Sequence, residues 1–288
     1  MDIKKVLEET TIELLRRASI QLPGDIIKAL KRARREETSN IGRQQLGNIL
    51  KNLQAAKEMS RPICQDTGLI TFYVTIGNEF GDPGFLLESL TKATRKATHD
   101  IPLRPNAVHP LTRKNSGDNS GTGVPIVSYE IVQGDYVELT VLPKGAGAEN
   151  MSTLTMLPPS AGIHGIKQFI INTVVTADGK PCPPIILGIG IGGKADLAMT
   201  LATRSLLRPL GTHHPQKEVA KLEEELLELV NATGIGPMGL GGKYTALGLN
   251  IEYAYCHPAS LPVGITMQCW AHRRATARIY RDGQIEYI

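Results

Sequence analysis

Apolar residues recur at intervals of three and four over residues 3–20 and again over 24–37, the spacing of a single helical face. Between them, Leu22-Pro23-Gly24-Asp25 supplies a breaker and a capping aspartate, so two separate N-terminal helices are predicted. A third helical stretch covers residues 41–57. The pattern then changes to β-branched and aromatic runs at Leu69 to Ile76, Ile126 to Val132 and Tyr136 to Leu142. Gln133-Gly134-Asp135 joins the last two, which predicts a β-hairpin. Residues 162–176 read as a helix and 185–191 as a buried strand. Helices over 195–207 and 217–231 are stopped by Arg208-Pro209 and Gly234. Strand-like segments return at 245–254, 261–268, 275–280 and 284–288.

This order of elements predicts a mixed α/β chain, and the late clustering of strands suits an α+β arrangement better than a regular doubly wound sheet. The loop at 143–160, rich in Gly, Pro and Ser, is the expected lobe boundary. The expectation is a single functional domain over 1–288, with N-terminal helices followed by two closely joined lobes with mixed sheets.

Composition narrows the classes. At 288 residues, 41% hydrophobic and 21% charged, the chain is globular and long enough to bury a core without staples. Its net charge of +4, from 32 basic and 28 acidic residues, is too mild to imply a nucleic-acid partner. The run Lys31-Arg32-Ala33-Arg34-Arg35 meets Glu36-Glu37 at once and reads as a solvated helix face. One tryptophan and 5% aromatics leave few platforms for stacking bases. The most apolar stretch, Pro183 to Gly193, falls short of the roughly 20 residues of a membrane span, and the N-terminus lacks the apolar core of a secretory signal. A cytoplasmic protein without nucleic-acid or membrane partners is expected.

Gly188-Ile189-Gly190-Ile191-Gly192-Gly193 formally contains a dinucleotide fingerprint after a strand and before a helix. The second strand and acidic residue of that motif do not follow, so a tight strand-to-helix turn is the stronger reading. The four cysteines, at 64, 182, 256 and 269, form no C-x-x-C pair, which leaves free thiols or dispersed metal ligands. Cys64 precedes Gln65 and Asp66 in a polar turn, Cys182 lies in the stiff Pro181-Cys182-Pro183-Pro184, and Cys269 opens the cationic Cys269-Trp270-Ala271-His272-Arg273-Arg274. Cys256 is the weakest of the four as a ligand. His213-His214 could suggest zinc, but no carboxylate is spaced to help, and a loop role is favoured.

The blocks ICQDTG (63–68), CPP (182–184), GIGIGG (188–193), LLRPLGTHHP (206–215), GIGPMGLGG (234–242) and CWAHRR (269–274) resemble the iron-sulfur hydro-lyases, class I fumarases and L(+)-tartrate dehydratases. The match is to the α subunit of two-subunit members, equivalent to the N-terminal domain of single-chain enzymes. The resemblance implies that Cys64, Cys182 and Cys269 bind a [4Fe-4S] cluster. It implies that Asp66 is the acid, that Gln65, Arg104 and His257 contact substrate, and that the loop containing Gly145 and Gly147 approaches the ligand with its backbone. Arg104 would fork onto a substrate carboxylate. Arg273 and Arg274 could balance the cluster's charge or bind a carboxylate; the sequence leaves both roles open. No segment resembles the domain that carries the family's catalytic base, so a separate β subunit and an α2β2 assembly are expected. The implied reaction is reversible dehydration of (S)-malate to fumarate, with L(+)-tartrate to oxaloacetate as the alternative.

Overall fold

The computed structural model describes residues 2–288, which divide into two compact units. The first is built from residues up to Pro23, Asn52–Gly145 and Arg273–Ile288, the second from Gly24–Lys51 and Ala146–His272. In chain order the elements are α1 (Ile3–Ile20), α2 (Gly24–Glu36), α3 (Asn40–Met59), β1 (Leu69–Gly77), α4 (Leu86–Asp100), β2 (Ile126–Val132), β3 (Tyr136–Lys144) and α5 (Ala146–Glu149). There follow β4 (Thr153–Leu157), α6 (Gly162–Ala177), β5 (Ile185–Gly192), α7 (Ala195–Ser205), α8 (Lys217–Ala232), β6 (Ala246–Ala254), β7 (Leu261–Gln268), β8 (Ala275–Tyr280) and β9 (Ile285–Tyr287). The architecture is mixed α+β, with helices first and two mixed sheets. Among the described residues, no helix is long and apolar enough to cross a membrane.

In the first unit a five-stranded sheet runs in the order β2-β1-β3-β8-β9. Along β1, Ile70, Phe72, Val74 and Ile76 alternate into a core shared with Leu14 of α1, Leu90 of α4 and Leu139 of β3. Helix α1 starts where Asp2 Oδ1 accepts the Lys4 N–H at 3.1 Å, which aims Leu7, Leu14 and Ala18 at that core. The predicted hairpin is not formed. β1 lies between β2 and β3, parallel to the first and antiparallel to the second, with Thr71 opposite both Ile126 and Leu142. The end of β1 occupies the linking loop: Asn78 N–H donates to Val132 O at 2.9 Å and Glu79 N–H to Gly134 O at 2.8 Å. Three elements without a sequence expectation also appear. α4 carries threonines at 91, 94 and 98 and follows the glycine-rich approach at 81–84, while α5 and β4 lie inside the loop expected at 143–160.

In the second unit the order is β4-β7-β5-β6, with β5 parallel to β6 and antiparallel to β7. Leu187 and Ile189 of β5 enter a core with Ile170 of α6 and Val230 of α8. The alternate positions, Gly188 and Gly190, face α7, where a Cβ would collide with the carbonyl oxygens of Ala202 and Ala198. The glycines therefore let a helix backbone lie directly on the strand. This accounts for the formal dinucleotide fingerprint as packing.

Two buried carboxylates organise the loops of this unit. Glu37 accepts the N–H groups of Thr38 (2.8 Å), Ser39 (2.9 Å), Lys243 (2.8 Å) and Tyr244 (3.0 Å). Burial alone would push its carboxyl up, but these N–H donors outweigh burial and hold it below its ordinary 4.5. Glycine at 242 follows from this contact, since φ is +144° and a Cβ would lie 2.7 Å from Glu37 Oε1. Glu223 pairs with Arg208 Nη2 at 2.5 Å and accepts the N–H groups of His214 (3.1 Å) and Ile251 (2.7 Å). The LLRPLGTHHP block is thus tied to α8 and β6.

Candidate active-site residues and their supports

In the first unit the loop before β1 is pinned where it begins. Ile63 N–H donates to Ser19 O at 2.9 Å, and Asn52 Nδ2 donates to Ile63 O at 2.8 Å. The next two residues are presented outward, Cys64 half-buried and Gln65 exposed. Asp66 then folds back on its own chain, with Oδ1 accepting the Gly68 N–H at 3.0 Å. Gly68 has φ +87°, and a Cβ there would meet Lys144 N at 2.7 Å, so glycine is required on two counts.

Around this turn three further segments converge. The Thr67 hydroxyl and Asn119 Nδ2 both donate to the carbonyl oxygen of Arg104 at 3.1 Å, which docks the Arg104 loop by its backbone and leaves the guanidinium side chain exposed. Asn106 Nδ2 lies 3.3 Å from Asp66 Oδ1. Gly145 is buried beside the carboxyl group, where a Cβ would fall 3.0 Å from Asp66 Oδ2. Arg273, 1% exposed, sends Nη1 to the Asp66 carbonyl oxygen at 2.9 Å, and among the described residues its Nε has no hydrogen-bond partner. Asp66, Gly145 and the Arg104 loop are therefore brought together. Asn106 and Asn119 join them without having been assigned a place by the sequence, and Arg273, whose role the sequence left open between balancing charge and binding a carboxylate, joins them through the Asp66 carbonyl oxygen.

In the second unit Cys182 takes φ +57°, a left-handed conformation that costs a non-glycine residue on the order of 1 kcal/mol. Its neighbours hold it there. Cys182 N–H donates to Gly179 O at 3.1 Å, Trp270 N–H donates to Cys182 O at 3.2 Å, and Met238 N–H donates to Pro183 O at 2.8 Å. The first bond closes the Cys182 turn, the second joins it to the segment opened by Cys269, and the third braces it with the GIGPMGLGG loop. Gly147 sits beside the same turn, a Cβ there lying 3.0 Å from Lys180 O. His272 is buried, with Nε2 2.9 Å from Leu206 O. His257 is exposed and lines a cavity of ≈ 470 Å³ with Lys194, Tyr255 and Ser260; its Nδ1 accepts the Ala259 N–H at 3.1 Å. Cys256 is exposed in the same wall, 3.2 Å from Ser260 O. His213 lies 3.7 Å from Glu224, while His214 lies 3.8 Å from Glu252 with its ring against Tyr253.

Among the described residues none of the four cysteines is in a disulfide, and Cys64, Cys182 and Cys269 are each half-buried. Cys182 and Cys269 belong to the second unit and Cys64 to the first. Among the described residues, no three His, Cys, Asp or Glu side chains are gathered into a group that could hold a metal ion.

The family model described as fumarate hydratase (Fumerase) matches residues 8–278. The chain belongs to this fumarate hydratase family. Its blocks of hydro-lyase sequence therefore carry an enzyme scaffold, with Asp66 and the three half-buried thiols on its loops. A protein of Methanocaldococcus jannaschii named "Putative L(+)-tartrate dehydratase subunit alpha" is 48% identical over 283 residues, covering 97% of this chain and 99% of its own. The L(+)-tartrate dehydratase subunit alpha of Escherichia coli strain UTI89 is 38% identical over 271 residues, covering 94% of this chain and 89% of its own. The family membership agrees with the resemblance carried by the sequence blocks, and among these relatives the names are those of tartrate dehydratases.

Proposed function

We propose that the chain is the α subunit of a [4Fe-4S]-dependent hydro-lyase that dehydrates L(+)-tartrate to oxaloacetate together with a separate β subunit. The observation that carries the reading is the Cys64-Gln65-Asp66 turn: a half-buried thiol is followed two residues later by a carboxyl group whose orientation is set by its own chain. Tartrate is placed ahead of (S)-malate because the relatives at 48% and 38% identity are named for it. The malate to fumarate reaction is the second reading, favoured by the description of the matching family.

Three half-buried cysteines outside any disulfide have the sulfur chemistry that suits a soft iron-sulfur group, and the Cys182 turn is already bonded to the Cys269 segment. Cys64, Cys182 and Cys269 would hold such a cluster, which would supply Lewis-acid chemistry for the substrate hydroxyl. Asp66 gives its proton to the hydroxyl as the carbon–oxygen bond breaks, so that water leaves. The proton on the neighbouring carbon passes to a base of the β subunit, and the electron pair of that carbon–hydrogen bond forms the new double bond. From tartrate this gives the enol of oxaloacetate, which becomes the ketone as its hydroxyl proton is lost and a proton is added at carbon. Arg104 receives one substrate carboxylate through its fork, with Gln65 and His257 as further contacts. Gly145 and Gly147 keep their loop free of side chains that would press on Asp66 or on the segment before Cys182.

Anaerobic reconstitution tests this. The iron-loaded chain alone is expected to be inert, and addition of the β subunit is expected to bring turnover of L(+)-tartrate. A higher kcat/KM for (S)-malate would reassign the substrate. Robust turnover without a partner would defeat the two-subunit reading.

A further inference from the structure

Asn106 makes contacts that the reading of Arg104 as a carboxylate binder does not use. Its Nδ2 lies 3.3 Å from Asp66 Oδ1, 3.4 Å from Thr67 Oγ1 and 3.3 Å from Gly68 O. A carbonyl oxygen such as that of Gly68 can only accept, so the nitrogen of the carboxamide faces the turn. The main chain of Asn106 is fixed as well, its N–H donating to Asn119 Oδ1 at 2.6 Å. Asn119 is 1% exposed and has φ +59°, and its Nδ2 is shared between Thr98 Oγ1 and Arg104 O, each at 3.1 Å. Thr98 lies on α4, where its hydroxyl reaches Thr94 O at 2.8 Å. A continuous set of hydrogen bonds thus runs from the last turns of α4 through Asn119 and Asn106 to the carboxyl group of Asp66.

We propose that Asn106 is a positioning residue for Asp66: it holds Oδ1 together with the Gly68 N–H, and so keeps Oδ2 directed at the Gly145 main chain. This rests on the reading of Asp66 as the acid. The chemistry of the residue supports it. A carboxamide donates to a carboxyl oxygen without bringing a charge, and it retains a second hydrogen for the turn's own acceptors. The same residue couples two parts of the site, because Asn106 and the Arg104 carbonyl share Asn119 as their partner. A connected polar network of this kind, buried at Asn119 and Thr98 and half-buried at Asn106 and Asp66, specifies one geometry more strongly than any of its bonds alone. Support from a helix gives a reactive group the placement that catalysis requires, and an error of about 1 Å costs roughly 10²-fold in rate.

The test uses the assembled, iron-loaded α and β subunits with Asn106→Ala and Asn106→Asp. Asn106→Asp keeps the side-chain shape and the main-chain bond to Asn119 but places an acceptor against Asp66 Oδ1, so it remains informative if the alanine variant does not fold. Both are expected to lower kcat by roughly 10–10²-fold with KM within about threefold of wild type, and with iron content unchanged. Wild-type kcat in either folded variant would overturn the role. A raised KM at unchanged kcat would also overturn it, since Asn106 would then serve substrate binding through the Arg104 loop. A wild-type assembly inert toward both tartrate and malate would remove the functional reading and this role with it, whereas an active wild type with unaffected variants removes this role alone.

Discussion

Arg273 reaches across 207 positions of sequence to donate from Nη1 to the main-chain carbonyl oxygen of Asp66 at 2.9 Å. Among the described residues Arg273 is the largest of the fully buried side chains, and its Nε has no hydrogen-bond partner. Its geometry thus serves the turn that presents Asp66. Arg273→Lys is expected to lower stability by about 1.5–3 kcal/mol, because an ammonium keeps the charge but not the fork, and buried N–H groups are lost. Urea unfolding of the isolated chain measures this. An unchanged midpoint would show that the contact carries no structural weight.

The proposed cluster ligands separate from the proposed acid by what each substitution removes. Cys64→Ser, Cys182→Ser and Cys269→Ser are each expected to abolish stable iron incorporation, since a hydroxyl is a poor ligand for a soft metal group, while Cys256→Ser retains it. Asp66→Asn is expected to keep its iron yet lose turnover by roughly 10²–10⁴-fold. Iron analysis of each variant beside its kcat decides. Full iron content in any one of the three cysteine variants takes that residue out of the ligand set.

Acid should loosen the Glu37 clamp. The folded carboxyl group is held below 4.5, so its stabilising contribution is fully present above that pH and is lost as pH falls through the lower folded value. Glu37→Gln is expected to cost about 1–3 kcal/mol at neutral pH, with the gap from wild type closing only below pH 4.5. Denaturant curves between pH 7 and about 3 follow the difference. A gap independent of pH would mean that the charge of Glu37 contributes nothing.

Packing and nucleotide binding predict opposite outcomes at Gly190. With the Ala198 carbonyl oxygen in the way of a Cβ, Gly190→Ala is expected to destabilise by about 3 kcal/mol or more through displacement of α7. A nucleotide-binding turn would instead lose affinity for a dinucleotide at little cost in stability. Thermal melting with and without added dinucleotide distinguishes them.

Local pattern was sufficient wherever one residue's neighbours in sequence also set its environment. The 3.6-residue period of α1 and α2, the alternation along β1 and the apolar run of β5 depend on which face meets a core, and periodicity reports that face directly. The mixed α+β class and the hydro-lyase blocks were legible for the same reason, as contiguous residues. Partner choice was not. The link at 133–135 reverses the chain as a hairpin loop does, yet nothing local announces that β1 will take the place between β2 and β3 and bond to that loop. The GIGIGG run needed the carbonyl groups of α7 before its glycines could be understood as clearance for a helix. Asn106 and Asn119 carry no motif, Arg273 lies in a block that does not name its partner, and the three stand 40, 53 and 207 positions from Asp66. Hydrogen bonds act over about 3 Å whatever the separation along the chain, and so the surroundings of Asp66 were decided by tertiary structure alone.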